Sequence, residues 1–283
     1  MGKITIFVSS TFKDMDAERD MMENYVKPEI KKRLAAHNIM KDVDIVDLRW
    51  GVNTQDLPEE ERESKVLKQC LDGIRMSRPY FVAFIGDRYG WIPPLSKWRK
   101  VAGELSGEES DKMGDELVEA KSVTELEILF GALKDRKNLS NSFFMFRDSR
   151  VYDTMKPEDL RRYSDADSKQ RERLAELRKK ILAAYQGTGL EHNLMQYSCQ
   201  YDGRMVIGEN EFLELVNILV RSIVSNEMDN ALNSTDLDSL IGAELDLIQE
   251  RNAYFVGREE MMASLVEHIY TSGGPVSIEA MAG

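Results

Sequence analysis

The chain has 283 residues, a net charge of −12, 42% hydrophobic residues and 31% charged residues. This composition is typical of a globular protein that is long enough to bury a core. Its negative charge and the lack of a long basic run argue against nucleic-acid binding, since phosphate backbones attract basic surfaces. The two cysteines and three histidines are scattered without the spacing of a metal site, so we expect no bound metal. There is no apolar stretch of about 18 residues, so we expect a cytoplasmic protein that does not contact a membrane.

In chain order, the first elements are predicted to be a buried strand and a long helix. Residues 3–9 form a β-branched and aromatic run that ends in hydroxyl side chains. From residue 14 to residue 36, mainly apolar side chains recur at steps of three and four residues, which predicts an amphipathic helix with a kink at Pro28. The side chains of this stripe are Met15, Arg19, Met22, Val26, Ile30 and Leu34. A second strand over residues 43–48 and a second helix over residues 61–76 follow.

The middle of the chain continues the alternation of strands and helices. Residues 79–86 form an apolar run on both faces of a predicted strand, as in a central strand of a parallel sheet. Residues 93–121 are polar and contain glycine, which indicates a surface insertion. A third helix is predicted over residues 122–133 and a fourth strand over residues 142–146.

The next segment completes the first predicted domain. A charged helix is expected over residues 165–185, a short fifth strand at 205–207, and a helix over 210–225. Strands that alternate with helices at this spacing predict an α/β domain with a parallel sheet and helices on both faces. We place this domain at residues 1–226.

The end of the chain has a different character. Residues 227–252 are predicted to be a helical linker, and residues 253–283 contain the motif FVGREE, a helical pattern and a β-rich run that ends in Gly283. This order resembles the opening of the P-loop NTPase module in STAND and AAA-type ATPases. In those families a glycine-rich loop with Lys and Ser/Thr then cradles the nucleotide phosphates. Because the chain stops before that lysine, the resemblance implies no ATPase activity here and binding of ATP and Mg²⁺ only in the full-length protein.

The front of the chain carries a second resemblance. The motifs are FVSSTF at residues 7–12, DLRWG at 47–51 and GDRYGW at 86–91. In this order they resemble the TIR-like N-terminal domain of STAND NTPases, a family of unknown function also found in nephrocystin-type and telomerase-associated proteins. The resemblance covers about residues 3–150 and extends more loosely to about residue 225.

This resemblance implies a flavodoxin-like, TIR-related fold and a signalling or effector role. Bacterial members are expected to act in defence or stress pathways, where the NTPase oligomerises and brings the N-terminal domains together. The implied partners are therefore other copies of the TIR-like domain, together with the NTPase and sensor domains of the same chain.

Several candidate ligand-binding residues follow the predicted strands directly, where open parallel sheets bind their ligands. They are Ser9, Ser10, Thr11, Arg49, Trp50, Asp87, Arg88, Tyr89 and Arg147. Arginines and a hydroxyl-rich loop near a helix N-terminus form an anion pocket in an acidic protein. We therefore expect NAD or another nucleotide as the ligand, with Trp50 or Tyr89 stacking on its base.

Two glutamates on the third predicted helix are candidates for catalysis. TIR enzymes that cleave NAD carry their catalytic glutamate on the equivalent helix, where it stabilises an oxocarbenium-like ribosyl centre or acts as a nucleophile. The resemblance makes Glu125 the first candidate and Glu127 the second. This sequence lacks the Trp-Cys pair that precedes that glutamate in TIR domains, so a NAD glycohydrolase active on assembly stays an alternative to a non-catalytic signalling domain.

A purely structural interpretation is open for the same residues. The arginines could pair with aspartates and fix the loops, the available partners being Asp14, Asp47, Asp87 and Asp148. Trp50 and Trp91 beside glycines are typical of packing anchors at turns, and Glu125 is compatible with a solvent-facing helix position. This interpretation predicts internal ion pairs in place of a ligand pocket.

Overall fold

The structure is a computed structural model that describes residues 2–47, 80–94, 96 and 121–234. Several predictions lie outside these residues: the second helix, nearly all of the insertion at 93–121, and the NTPase-like segment at 253–283. The chain divides into two compact units, Met1–Met228 and Asp229–Gly283. The fold described below is that of the first unit.

Five strands form a parallel sheet at the centre of this unit. They are β1 (Gly2–Ser9), β2 (Lys41–Val46), β3 (Tyr80–Ile85), β4 (Ser142–Arg147) and β5 (Leu194–Tyr197). Their order is β2-β1-β3-β4-β5, and all four pairings are parallel. The register places Ile6 of β1 between Ile45 of β2 and Tyr80 of β3. This is the strand order of flavodoxin-like folds, so the predicted α/β fold class is confirmed.

Helices cover both faces of the sheet. They are α1 (Asp16–Met21), α2 (Lys27–Ala36), α3 (Val123–Ile128), α4 (Pro157–Tyr163), α5 (Ser168–Tyr185) and α6 (Glu209–Ser234). Apolar side chains of α1, α2 and α6 share one core cluster with the sheet, and those of α3 and α5 share the other. Alternating residues of β3 supply the two clusters, since Tyr80, Val82 and Phe84 belong to the first and Phe81, Ala83 and Ile85 to the second.

The long helix predicted over residues 14–36 contains a π-helical turn, Met22–Val26, between α1 and α2. Within this turn the amide of Lys27 donates to the carbonyl of Met22, five residues earlier. Pro28 follows directly. It has no amide hydrogen to donate, and its ring crowds the carbonyl four residues before it. The wider turn accommodates this proline without ending the helix.

The fifth strand of the sheet differs from the prediction. Residues 205–207 do form a strand, β7 (Met205–Ile207), but it pairs antiparallel with β6 (Cys199–Tyr201) in a separate two-stranded sheet. The edge position beside β4 is taken by β5, whose four residues LMQY show little alternation of apolar and polar side chains. Such a short edge strand gives a weak sequence signal, and for that reason the prediction was wrong here.

Candidate functional site

The carboxyl ends of β1, β3 and β4 bring most of the predicted site residues into one region. The described ones are Ser9, Ser10, Thr11, Asp87, Arg88, Tyr89, Glu125, Glu127 and Arg147. Arg49 and Trp50 lie outside the described residues. Most of these side chains are buried and bind other protein groups, so the contacts of each side chain determine whether it can also bind a ligand.

Arg147, at the end of β4, is buried and binds Glu18 of α1. Its Nη2 donates to Glu18 Oε1 at 2.6 Å and to the backbone oxygen of Asp14 at 2.7 Å. The hydroxyl of Tyr197, at the end of β5, donates to the same Glu18 oxygen at 2.7 Å. Burial disfavours the charged guanidinium, but Glu18 together with Tyr197, Tyr152 and Asp14 outweighs this effect, so the pKa of Arg147 is raised. Arg147 therefore ties three elements together, as the structural interpretation predicts.

Four buried polar atoms around Arg147 have no hydrogen-bond partner within the part of the chain that the structure describes. They are Asp14 Oδ2, Glu18 Oε2, Arg147 Nη1 and the Tyr152 hydroxyl. We call these four residues the Asp14 cluster. Gly86, at the end of β3, lies against it, since a Cβ at this position would be 3.2 Å from both Asp14 Oδ2 and the Tyr152 hydroxyl. Burial raises the pKa of Asp14 to about 7.

Glu125 is buried, with only 4% of its surface exposed, and does not face solvent. Its Oε2 accepts a hydrogen bond from the Tyr89 hydroxyl, and its Oε1 lies 3.3 Å from Lys180 Nζ and 3.6 Å from Lys121 Nζ. Tyr89 is 1% exposed, and its burial and its bond to Glu125 raise its pKa. Its ring belongs to the core below α3 and offers no free face for stacking on a base.

Glu127 and the two serines at the end of β1 are also engaged within the protein. The Ser9 hydroxyl donates to Glu127 Oε2 at 2.6 Å, and both side chains are buried. Ser10 Oγ accepts a hydrogen bond from Arg19 Nε at 2.7 Å, and Arg19 also pairs with Asp47 after β2. The hydroxyl groups predicted to bind an anion therefore bind a carboxylate and a guanidinium of the same chain.

Arg88 and Asp87, after β3, hold the neighbouring helices. Arg88 Nη1 donates to two backbone carbonyls at the end of α4, and its Nη2 lies 3.5 Å from Asp165 Oδ1. Asp165 Oδ2 accepts a hydrogen bond from the Tyr89 amide at 2.6 Å. Asp87 pairs with Arg178 of α5 at 2.8 Å. Arg88 remains partly accessible, since about a fifth of its side chain is exposed (19%).

A cleft of about 440 Å³ opens beside Arg88 at this edge of the sheet. Of the described residues predicted to bind a ligand, Thr11 and Arg88 line it. Phe12 and Trp91 also line it and are 40% and 38% exposed, which is high for large aromatic side chains. We call it the strand-end cleft, and its lining residues are Thr11, Phe12, Lys13, Arg88, Gly90, Trp91, Ile92, Val123, Asp165 and Gln170.

Sequence reasoning missed two of the residues that shape this cleft. Phe12 stands out in the sequence only as part of the FVSSTF motif, and the sequence predicts a packing anchor at Trp91. The only signal available was an aromatic residue directly beyond a predicted strand, which does not by itself distinguish a buried ring from an exposed one. The Arg162 side chain donates to the backbone oxygen of Lys13 at 2.7 Å, a contact that no sequence motif indicates.

Two further features concern ions and membranes. Over residues 2–47, 80–94, 96 and 121–234, no group of three or more His, Cys, Asp or Glu side chains is placed to hold a metal ion. In the same part of the chain, no helix is both long enough and apolar enough to cross a membrane.

Residues 5–196 match a protein family described as a domain of unknown function, DUF4062. The chain belongs to this family. The chain is 30% identical over 206 residues to telomerase protein component 1 of Mus musculus and 29% identical over 206 residues to that of Rattus norvegicus. Each of these matches covers 71% of this chain and 7% of the relative.

A TPR repeat-containing protein of Dictyostelium discoideum is 29% identical over 185 residues, covering 64% of this chain and 11% of the relative. The chain thus spans only 7% to 11% of the length of these relatives. No solved structure matches the chain. The comparisons therefore identify the family of the DUF4062 domain and leave its activity to be inferred from the site.

Proposed function

We propose that the DUF4062 domain is a signalling module of a larger multidomain protein and acts by binding other copies of itself through the strand-end cleft. In this proposal the NTPase-like segment at residues 253–283 opens a STAND-type module that gathers several copies in a defence or stress pathway. The length of the relatives supports a domain of this kind inside a long chain, since the matches cover 7% to 11% of them.

The observation that carries the proposal is that the charged groups at the strand ends bind one another. Glu125 is held by Tyr89 and two lysines, and Arg147 is held by Glu18. Hydrolysis of a glycosidic bond by a glutamate requires that carboxylate to reach the substrate, whereas here both candidate glutamates are about 4% exposed. A domain whose polar groups stabilise its own loops is suited to a binding role.

The surface of the strand-end cleft supports a protein partner. Phe12 and Trp91 expose aromatic area beside positive charges at Lys13 and Arg88. Aromatic side chains and arginine are enriched at the centres of protein interfaces. A second copy of this chain carries a net charge of −12 and therefore offers acidic side chains to the cationic rim.

The test is sedimentation velocity of the 283-residue chain over a range of concentrations, compared with the variant Trp91→Ala. We expect reversible association of the unmodified chain. We expect the variant to associate about 30-fold more weakly, because truncating an aromatic residue at an interface centre costs about 2 kcal/mol.

The matched control is Tyr25→Ala, which removes another aromatic side chain that is 55% exposed, in the π-helical turn between α1 and α2 and outside the cleft. It should associate like the unmodified chain. Equal association of the unmodified chain and Trp91→Ala would overturn the proposed surface. A chain that stays monomeric at every concentration would overturn self-association.

The alternative function is NAD hydrolysis on assembly. It is favoured by one observation, namely that Thr11 and Arg88 share a cleft of about 440 Å³, which is within the usual size of small-molecule sites. For this chemistry Glu125 would have to leave Tyr89 and reach the cleft.

Measurement of NAD concentration separates the two functions. The chain is incubated with NAD above the concentration at which it associates, alongside the double variant Glu125→Gln, Glu127→Gln, whose folding is checked by circular dichroism. We expect no loss of NAD with either protein. Loss with the unmodified chain but not with the double variant would establish the hydrolase and contradict a purely binding role.

A further inference from the structure

Asp14 anchors the loop that follows β1 through both its side chain and its backbone. Its Oδ1 accepts a hydrogen bond from Thr11 Oγ1 at 2.5 Å, and its backbone oxygen accepts one from Arg147 Nη2 at 2.7 Å. The residues between these anchors, Thr11, Phe12 and Lys13, form one wall of the strand-end cleft. The position of this wall therefore depends on how Asp14 is held.

The charge of Asp14 is poorly matched to its surroundings. The side chain is fully buried, and Oδ2 has no hydrogen-bond partner in the described part of the chain. The positive charge of Arg147 is already compensated by Glu18 at 2.6 Å, while Arg147 Nη1 lies 3.9 Å from Asp14 Oδ2. Ionised Asp14 would thus add a second negative charge to a buried group of one arginine and one carboxylate, which is unfavourable without further hydrogen bonds.

The geometry points to a proton-binding site at Asp14, whose protonated form holds the loop at residues 11–14 against the sheet and whose ionised form releases it. The ligand is a proton, and the consequence is a change in the strand-end cleft, because three residues of the loop line it. The inference does not depend on what the cleft binds, so it can fail or hold independently of self-association.

The groups that face Asp14 come from every element packed against it. They are Thr11 in its own loop, Glu18 of α1, Arg88 after β3, Arg147 of β4, Tyr152 after β4, and Tyr197 of β5, which binds Glu18. Asp14 also borders a cavity of about 430 Å³ on whose walls lie Asp16, Asp20, Arg162 and Arg204. Burial raises the pKa of Asp14 to about 7; the Thr11 hydrogen bond and the two facing arginines oppose the rise, and Glu18 adds to it.

Nuclear magnetic resonance of the isotope-labelled 283-residue chain between pH 4 and pH 9 tests this inference. The side-chain carboxyl carbon of Asp14 should titrate near pH 7, about three units above the ordinary value for aspartate. The amide resonances of Thr11, Phe12 and Lys13 should shift with the same midpoint. In Asp14→Asn, which keeps the shape of the protonated carboxyl, these amide shifts should disappear.

The matched control is Asp20→Asn, which removes a carboxylate of α1 on the wall of the same cavity. It should leave the titration of the loop amides unchanged. A midpoint near pH 4 for Asp14 in the unmodified chain would refute the site, even if the Asp14→Asn variant did not fold. Loop amide resonances that do not shift as Asp14 titrates, or that still shift with pH in Asp14→Asn, would refute the link between Asp14 and the cleft.

Discussion

Arg147 illustrates how a charged residue that the sequence assigns to a ligand serves the fold instead. The prediction placed it correctly at the end of a strand, but its partner Glu18 lies 129 residues away along the chain, and Tyr197, which binds the same glutamate, is 179 residues from Glu18. Such partners depend on packing across several elements, which local patterns do not encode. Removing one member of a buried pair leaves the other charge unpaired in the interior.

We therefore predict that Arg147→Ala lowers the free energy of unfolding by about 3–5 kcal/mol, because Glu18 stays buried without its partner. Urea denaturation followed by circular dichroism measures this change. The control is Arg150→Ala, whose side chain is 82% exposed and pairs with Asp148, and it should have little effect. Similar midpoints for Arg147→Ala and the unmodified chain would contradict the structural role of the pair.

Arg19 is the residue whose role the sequence came nearest to revealing. It occupies a stripe position of the first helix, between Met15 and Met22, where an apolar residue is expected. A charged side chain on a buried face needs a partner, and in the structure Arg19 binds Ser10 and Asp47. The pattern could have predicted a buried pair here, although not the identity of the partners.

Among the elements, β3 and β5 show where prediction from sequence succeeds and fails. The six residues of β3 are all buried and apolar, so the sequence predicted a central strand. Of the four residues of β5 at the sheet edge, only Tyr197 is buried, and their strand conformation comes from pairing with β4, which no local pattern encodes.

The helix after β3 makes a close contact that gives a prediction at this scale. Gly131 lies in the π-helical turn Leu129–Leu133 that continues α3, and a Cβ there would be 2.5 Å from Cε2 of Phe81 in β3. Phe81 has little room to move, because its ring stacks on Phe7 with 5.7 Å between centroids and packs against Phe144.

Gly131→Ala should therefore destabilise the domain by about 1–3 kcal/mol, the usual cost of overpacking a core, although alanine favours helices over glycine. Thermal or urea unfolding measures the change. Phe81→Leu should relieve the clash, so Gly131→Ala should cost less in that background than in the unmodified chain. An equal cost in both backgrounds would show that the contact with Phe81 is not the cause.

For the whole molecule, the sheet order explains why the candidate site is where it is. In the order β2-β1-β3-β4-β5 the chain reverses direction of winding between β1 and β3, and a crevice forms outside the carboxyl ends of these two strands. Thr11 follows β1 and Arg88 follows β3, so the sequence placed both correctly at this crevice. The exposure of Phe12 and Trp91 and the burial of Glu125 could not be foreseen, since both depend on how α3 and α5 close over the sheet.

Concentration dependence of the amide resonances of the 283-residue chain tests self-association through the strand-end cleft most directly. When the protein concentration is raised, we expect shifts or broadening confined to residues 11–13 and 90–92, which line the cleft. Residues around Tyr25, an exposed aromatic position elsewhere, should stay unchanged. Resonances that do not depend on concentration, or changes confined to a surface other than the cleft, would contradict self-association through the strand-end cleft.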